Sequence, residues 1–153
     1  MEIIKLNKRQ NFADDKKLNR TYIGFETLLN ELKLKKLPDN IVSSINQHIE
    51  EINTISFADK KLRRLIEKKQ GKIRTLVEKE LKIVPKGYYL SIGIALGVAI
   101  GMMIGTAIGL SLDNIALIAT GIPFGVGIGL AIGAGMDKKA FEEGRQLNLE
   151  IKL

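Results

Sequence analysis

Few residues in this 153-residue chain have the types and spacing that chemistry requires. His48 is the only histidine, and there is no cysteine. A metal site needs several ligands, and a triad of the Ser-His-Asp kind needs a nucleophile beside its base. His48 lies next to a stripe of isoleucines on a predicted helix, which is typical of a histidine at the edge of a core. The sequence therefore predicts a protein without catalytic residues, metal or cofactor.

Glycine motifs are frequent, but they do not have the context of a phosphate site. The chain contains many G-x-x-x-G matches and also Gly125-Val126-Gly127. A phosphate-binding loop follows a strand and ends in Lys-Ser/Thr, whereas these glycines lie inside an apolar run. We therefore interpret them as packing residues.

Basic residues cluster on a predicted helix near the middle of the chain. The cluster contains Lys60, Lys61, Arg63, Arg64, Lys68, Lys69, Lys72 and Arg74, against Asp59 and Glu67. A solvated helix face that also helps to fix membrane topology is the simplest interpretation. Anionic lipid is an alternative partner, and nucleic acid is another. No aromatic residue is interleaved with these bases, which disfavours nucleic acid because base stacking needs one.

Two apolar segments follow this cluster. Residues 93–112 read GIALGVAIGMMIGTAIGLSL and residues 121–136 read GIPFGVGIGLAIGAGM, so each block of four begins with glycine. No Lys, Arg, Asp or Glu occurs in 88–112 or 115–136. A helix of 25 residues is about 37 Å long, against a hydrocarbon core of about 30 Å. The pattern predicts transmembrane helices at 88–112 and 115–136, joined by a tip at 113–114.

The distribution of lysine and arginine predicts the orientation. Residues 1–87 carry 20 Lys/Arg and 12 Asp/Glu, and Asp113 is the only charge at the tip. By the positive-inside rule we expect a multi-pass protein of the inner (cytoplasmic) membrane with both termini in the cytoplasm. Residues 1–10 lack the apolar core of a signal peptide, so the first span is expected to direct insertion. The predicted interface residues are Tyr88, Tyr89, Lys86, Lys138 and Lys139.

Residues 1–84 are predicted to form a cytoplasmic three-helix domain, followed by a linker at 85–87. The first helix runs from about Phe12 to Leu34, capped by Asn11, with Asp14 and Asp15 in its first turn. The second runs from about Asp39 to Ile55, and the third from Phe57 or Ala58 to Val84. The apolar stripes are Tyr22, Phe25, Leu28, Leu29 and Leu32, then Ile41, Ile45, Ile49, Ile52 and Ile55, then Leu62, Leu65, Ile66, Ile73, Leu76, Val77 and Leu81.

The two ends of the chain read differently from the rest. Residues 147–153 alternate strictly between apolar and polar, which indicates a strand in the tail at 137–153. Residues 2–6 are apolar and β-branched enough to be its partner. Two unpaired tails are the alternative, because an isolated two-stranded ladder is marginal in water.

Over residues 88–136 the chain resembles bacterial glycine-zipper membrane proteins, a loose class defined by this repeat. The resemblance implies helix packing rather than a particular activity. As a glycine-rich hairpin it is also similar in architecture to the rotor-ring subunit of ATP synthases. That family needs an ion-binding carboxylate in its second helix, and residues 115–136 have none. The expected fold is an all-α membrane protein, a two-helix glycine-zipper hairpin with an N-terminal helical domain.

The glycines also predict how the hairpin assembles. The helix-packing residues are Gly93, Gly97, Gly101, Gly105 and Gly109 on the first span and Gly121, Gly125, Gly129 and Gly133 on the second. A second series of small residues lies on the other side of each span: Ala95, Ala99, Ala107 and Ser111, then Gly127, Ala131 and Gly135. One face of each helix can serve the hairpin and the other a neighbouring copy.

These features give two hypotheses for function. The first is a homo-oligomer that forms a pore or perturbs the lipid bilayer, regulated by its N-terminal domain. The alternative is a non-enzymatic membrane anchor or scaffold whose N-terminal domain recruits a cytoplasmic protein partner. The only polar residues within the spans are Ser91, Thr106, Ser111 and Thr120, apart from the two tyrosines, so a polar pore lining is not evident.

Overall fold

A computed structural model describes residues 1–7, 15–55 and 60–150. The described residues are mostly helical, with five helices and two short strands. Contacts divide the chain into two compact units, Met1–Ile83 and Val84–Leu153. The first unit holds α1 (Lys16–Lys33), α2 (Asp39–Asn53) and α3 (Lys60–Leu81). The second holds β1 (Val84–Lys86), α4 (Tyr88–Ser111), α5 (Ala116–Glu142) and β2 (Gln146–Glu150).

Helix α1 begins later than the sequence predicted. Asp15 is its N-cap rather than a first-turn residue: its carboxylate accepts hydrogen bonds from the backbone N–H groups of Lys17 (2.8 Å) and Leu18 (3.1 Å). These bonds hold the pKa of Asp15 below its ordinary value, because they favour the ionised form. The predicted cap Asn11, Phe12 and Asp14 lie outside the described residues. All five apolar positions predicted for this helix are buried.

Helix α3 packs against both α1 and α2, and its apolar stripe completes the core of the first unit. Ile41, Ile45, Ile49 and Ile52 of α2 are buried as predicted, whereas Ile55 is half-buried. The predicted end of the third helix at Val84 is wrong. The helix stops at Leu81, because Lys82 takes a left-handed conformation with φ of 55°. Its predicted start at Phe57 or Ala58 lies outside the described residues.

The N-terminal segment binds to α2 through two asparagine side chains. Asn46 accepts from the N–H of Ile4 (3.0 Å) and donates to the carbonyl of Glu2 (2.9 Å). Asn53, seven residues later on the same face, does the same with Asn7 and Lys5, at 2.9 and 3.1 Å. Ile3 and Leu6 are buried. The side-chain amides thus bond backbone N–H and carbonyl groups of this segment, as a neighbouring strand would in a sheet.

The expectation of an all-α fold needs a correction, because the second unit contains two short parallel strands. Strand β2 pairs with β1, with Val84 opposite Gln146 and Pro85 opposite Leu147. The predicted partner at residues 2–6 was therefore wrong, since that segment is already held by Asn46 and Asn53. The predicted linker at 85–87 is mostly β1. Residues 151–153 of the predicted strand lie outside the described residues.

Helices α4 and α5 are long and apolar enough to cross a membrane, by length and composition. Only 22% of the residues in the most apolar 18-residue stretch of either helix are buried. Helix α4 matches the predicted span at 88–112 closely. Helix α5 continues six residues beyond the predicted end at Met136, so the expected tail at 137–153 begins as helix. Pro123 lies inside α5.

The amide clamp on the N-terminal segment leads to a prediction. Replacing Asn46 with alanine should remove both of its bonds to the segment, each of which contributes about 1 kcal/mol net. We expect the amide of Ile4 to exchange with solvent about thirtyfold faster in hydrogen-exchange measurements. The control is Gln47→Ala at the neighbouring exposed position. Unchanged exchange at Ile4 would mean that burial of Ile3 and Leu6 alone holds the segment.

Candidate functional site: the glycine interface and open end of the hairpin

The backbones of α4 and α5 touch along the predicted glycine series. Gly97, Gly101, Gly105 and Gly109 of α4 are buried, as are Gly125, Gly129 and Gly133 of α5, and Gly93 and Gly121 are half-buried. A Cβ atom added at Gly125 would lie 2.7 Å from the Cα of Gly101, and one added at Gly129 would lie 2.7 Å from the carbonyl carbon of Gly93. No side chain fits there without moving the backbone.

The two helices run antiparallel with a regular register. Gly93 faces Gly129 and Gly133, Gly97 faces Gly125 and Gly129, and Gly101 faces Gly121. Near the tip the partner changes, since Gly105 faces the backbone of Ile118 and Gly121, and Gly109 faces the Ile118 side chain and the carbonyl of Asn114. Each glycine of the predicted helix-packing series therefore faces backbone atoms across the hairpin. All nine predicted helix-packing glycines lie at this intramolecular interface.

The tip reverses the chain within four residues. The N–H of Asn114 donates to the carbonyl of Gly109 (2.9 Å) and that of Asp113 to Leu110 (3.4 Å), which is the Schellman pattern that ends a helix. Asp113 occupies its left-handed position with φ of 47°. Aspartate tolerates this conformation better than most residues. The side chain of Asn114 then accepts from Ala116 N–H (3.1 Å), at the start of α5.

A carboxylate joins the two helices at the open end of the hairpin. Asp137 of α5 accepts hydrogen bonds from the backbone N–H groups of Tyr89 (3.2 Å) and Leu90 (3.0 Å), in the first turn of α4. Helix α4 needs this acceptor because Gly87, its N-cap, has no side chain to offer and is left-handed with φ of 75°. A negative charge at a helix N-terminus is also favoured by the helix dipole. Asp137 therefore ties α5 to the start of α4.

Sequence analysis missed Asp137 as a site residue. A signal existed, because counting outward from the tip along an antiparallel hairpin places Asp137 opposite Leu90. Beside this contact, the pairing of β1 with β2 holds together the segments that precede α4 and follow α5. A second Schellman pattern with Gly144 at φ of 68° ends α5 and turns the chain into β2.

The predicted interface residues gather around this open end. The rings of Tyr88 and Tyr89 lie edge to face, with centroids 5.2 Å apart. Lys86 is exposed at the end of β1. Lys138 and Lys139 are exposed one turn from Glu142 and Glu143, at Nζ–Oε1 distances of 3.9 Å in each pair. Exposed pairs of this kind contribute about 0.3–0.5 kcal/mol, so both ammonium groups can exchange a carboxylate for another anion.

The outer surface of the hairpin is apolar. On one side, glycines floor a groove of about 500 Å³ whose walls include Leu96, Ile100, Ile104, Phe124 and Ile128. The second series of small residues faces away from the partner helix, since a Cβ at Gly127 or Gly135 would meet nothing within 4 Å. The hydroxyls of Ser91, Ser111 and Thr120 donate to carbonyls of Gly87, Ala107 and Leu117 at 2.8–2.9 Å.

His48 lies in a small ionisable cluster of the first unit. Its Nδ1 is buried, without a hydrogen-bond partner among the described residues, and lies 3.6 Å from Oε1 of Glu51. The ammonium of Lys69 contacts the other oxygen of Glu51. Lys69 therefore does not belong to the solvated basic face where the sequence placed it, because its side chain is 7% exposed. The contact with Lys69 lowers the pKa of Glu51, and the neighbouring His48 lowers it by a smaller amount.

No group of three or more His, Asp or Glu within residues 1–7, 15–55 and 60–150 could hold a metal ion. The chain matches no protein-family model, no curated protein and no solved structure. The features that bear on function are therefore the hairpin and the charges around it.

The first prediction from this site compares two glycines of α5. Gly125→Ala puts a methyl group against the backbone of α4, and overpacking of this kind costs about 1–3 kcal/mol. Gly127→Ala, two residues away, enters open space and replaces a poor helix former with a good one. Thermal unfolding in mild detergent should show a lower midpoint for Gly125→Ala only. Equal midpoints for the two variants would contradict the packing described here.

The second prediction concerns the open end. Asp137→Ala leaves two N–H groups of α4 without their acceptor, and a bond to a charged group contributes about 1.5–3 kcal/mol. Hydrogen exchange at Leu90 should rise at least tenfold while exchange in the middle of α4 stays slow. Asp113→Asn is the matched control, because asparagine also accepts the left-handed conformation at the tip. Slow exchange at Leu90 in Asp137→Ala would show that the strands alone close this end.

Proposed function

We propose that this chain is an integral membrane protein whose two-helix hairpin anchors the helical unit 1–83 to the bilayer. One observation carries the proposal: α4 and α5 use glycine to contact each other and turn their large apolar side chains outward. Ile100, Met103, Ile104, Phe124 and Ile128 are 48–76% exposed. An exposed apolar surface of this extent is unfavourable in water, whereas lipid tails can cover it and fill the groove.

The same geometry favours an anchor over an open channel. Water-filled pores need a polar lining, and the hydroxyls of Ser91, Ser111 and Thr120 are bonded to carbonyls of their own helices. Asp137 binds the backbone of α4 and lies at the end of the apolar run, not within it. On this proposal the hairpin holds the N-terminal unit at the inner surface, where it recruits a protein partner.

The charges support a cytoplasmic location for both termini, in the inner membrane. Lys86 precedes α4, and Lys138 and Lys139 lie near the end of α5, at the same open end as Tyr88 and Tyr89. Asp113 is the only charged residue in the tip between the two helices. Lysine on the cytoplasmic side and tyrosine at the headgroup level are the usual arrangement for such a hairpin.

A homo-oligomer that forms a pore or perturbs the bilayer is the second candidate. The observation that favours it is the second small-residue face, where Ala99, Gly127, Ala131 and Gly135 are exposed. Small exposed residues allow a neighbouring helix to approach closely. Seven of the nine glycines of the first series are buried inside the hairpin, so they are not available for such a contact.

Topology is the first test of the anchor proposal. The chain has no cysteine, so single replacements can be labelled without a background. Asn114→Cys should react with a membrane-impermeant maleimide added outside intact cells, and Ser43→Cys should react only after lysis. The protein should remain in the membrane fraction after alkaline carbonate extraction. Release by carbonate, or labelling of Ser43→Cys in intact cells, would overturn the proposal or its orientation.

Dye release separates the two candidates. Purified protein reconstituted into liposomes should leave an entrapped fluorophore inside if the hairpin is an anchor. Release that rises with protein density, and that an Ala131→Leu variant abolishes, would instead support the oligomer built on the second face. Leucine at this exposed position is compatible with insertion, so the variant should still reconstitute.

A further inference from the structure

Helix α3 turns a row of basic side chains away from the core of the first unit. Its buried side is formed by Leu62, Ile66, Lys69, Ile73 and Val77. The opposite side carries Lys61 and six further exposed bases, and these six are here called the basic face: Lys60, Arg64, Lys68, Lys72, Arg74 and Lys79. At about 100° per residue they cover roughly half of the helix circumference, and at 1.5 Å per residue they extend over about 28 Å.

These six bases outnumber the two carboxylates on the same side of α3, Glu67 and Glu78. Lys69 is drawn into the core by Glu51, and the guanidinium of Arg63 lies 3.8 Å from Glu67. The basic face has no ion pair among the described residues. It is therefore a long, convex array of positive charge rather than a pocket. An extended array of anions fits it better than a single small anion does.

We propose that the basic face of α3 binds the anionic lipid headgroups of the membrane that holds the hairpin. This inference rests on the anchor function proposed above. The chain joins Leu81 to Tyr88 in seven residue steps, so at most about 25 Å separate them, whatever arrangement the two units take. A tether of this length keeps the basic face near the membrane, so the effective concentration of headgroups is high. A soluble anion does not have this advantage. Juxtamembrane clusters of four to eight bases are suited to anionic lipid.

The experiment places a probe in the middle of this face. Thr75→Cys is exposed on the same side of α3, and Thr27→Cys on α1 is a matched exposed position away from it. Each variant of the full chain is labelled with an environment-sensitive dye. It is then reconstituted into nanodiscs of phosphatidylcholine alone, or of phosphatidylcholine with phosphatidylglycerol. A headgroup-attached quencher reports proximity to lipid.

We expect quenching at Thr75→Cys only in the discs with phosphatidylglycerol, and none at Thr27→Cys. In 1 M salt, where the Debye length is about 3 Å, the quenching should disappear. Replacing Lys68, Lys72 and Lys79 with glutamine should lower the bound-to-free ratio about fivefold per lysine, so about a hundredfold in all. The control replaces Lys5, Lys33 and Lys36, which are exposed outside α3, and has the same change in net charge.

The outcomes separate the inference from the function on which it rests. If carbonate extracts the protein from cell membranes, the anchor function itself fails. If the protein is integral but the Thr75 probe reads the same in both discs, the inference is wrong. Equal effects of the two glutamine triples would also overturn it, because they would reflect net charge rather than this face. A response to duplex DNA in phosphatidylcholine discs, with none to phosphatidylglycerol, would assign the face to nucleic acid.

Discussion

The second unit depends on one constraint, the contact between two helix backbones that leaves no space for a Cβ atom. Gly97 and Gly101 face Gly125, Gly129 and Gly121, so the position of one helix fixes the position of the other. In lipid the attraction between helices comes from van der Waals contact rather than from the hydrophobic effect, and close backbones maximise it. The tight tip and the bond from Asp137 to α4 follow from this register, because each joins residues that the glycines have already brought together.

The same constraint decides what the hairpin shows to its surroundings. When the smallest residues occupy the interface, the largest must point outward, and Ile104, Phe124 and Met103 do so. A soluble protein would cover these side chains with further elements. The first unit is itself a packed core, with Phe25, Ile45, Ile66 and Ile73 fully buried. The two halves of the chain are thus suited to different solvents, which is the physical basis of the anchor proposal.

Local periodicity predicted much of the fold, and it failed where a partner from elsewhere decided the outcome. Helices α1 and α2 bury the stripes read from the sequence, since spacing of three and four residues fixes a helix face. The partner of β2 could not be read this way. Residues 1–7, the expected partner, are instead bonded to Asn46 and Asn53 of α2, which no pattern along that segment records. The sequence predicted Lys69 on a solvated face. The structure buries its side chain beside Glu51, which lies on another helix.

The packing of the hairpin also could not be predicted from spacing along one helix. Which face the hairpin uses decides which face remains for contact between copies. Spacing alone gave each helix two faces of small residues but did not say which one the hairpin uses. Because the first face is consumed inside the hairpin, copies can approach closely only through the second. On α4 that face is interrupted by Met103, whereas on α5 it runs unbroken through Gly127, Ala131 and Gly135. In such an assembly the closest approach of two backbones would then be between the α5 helices of two copies. Such a contact is isologous and closes as a dimer, whereas a ring would need the interrupted face of α4 as well.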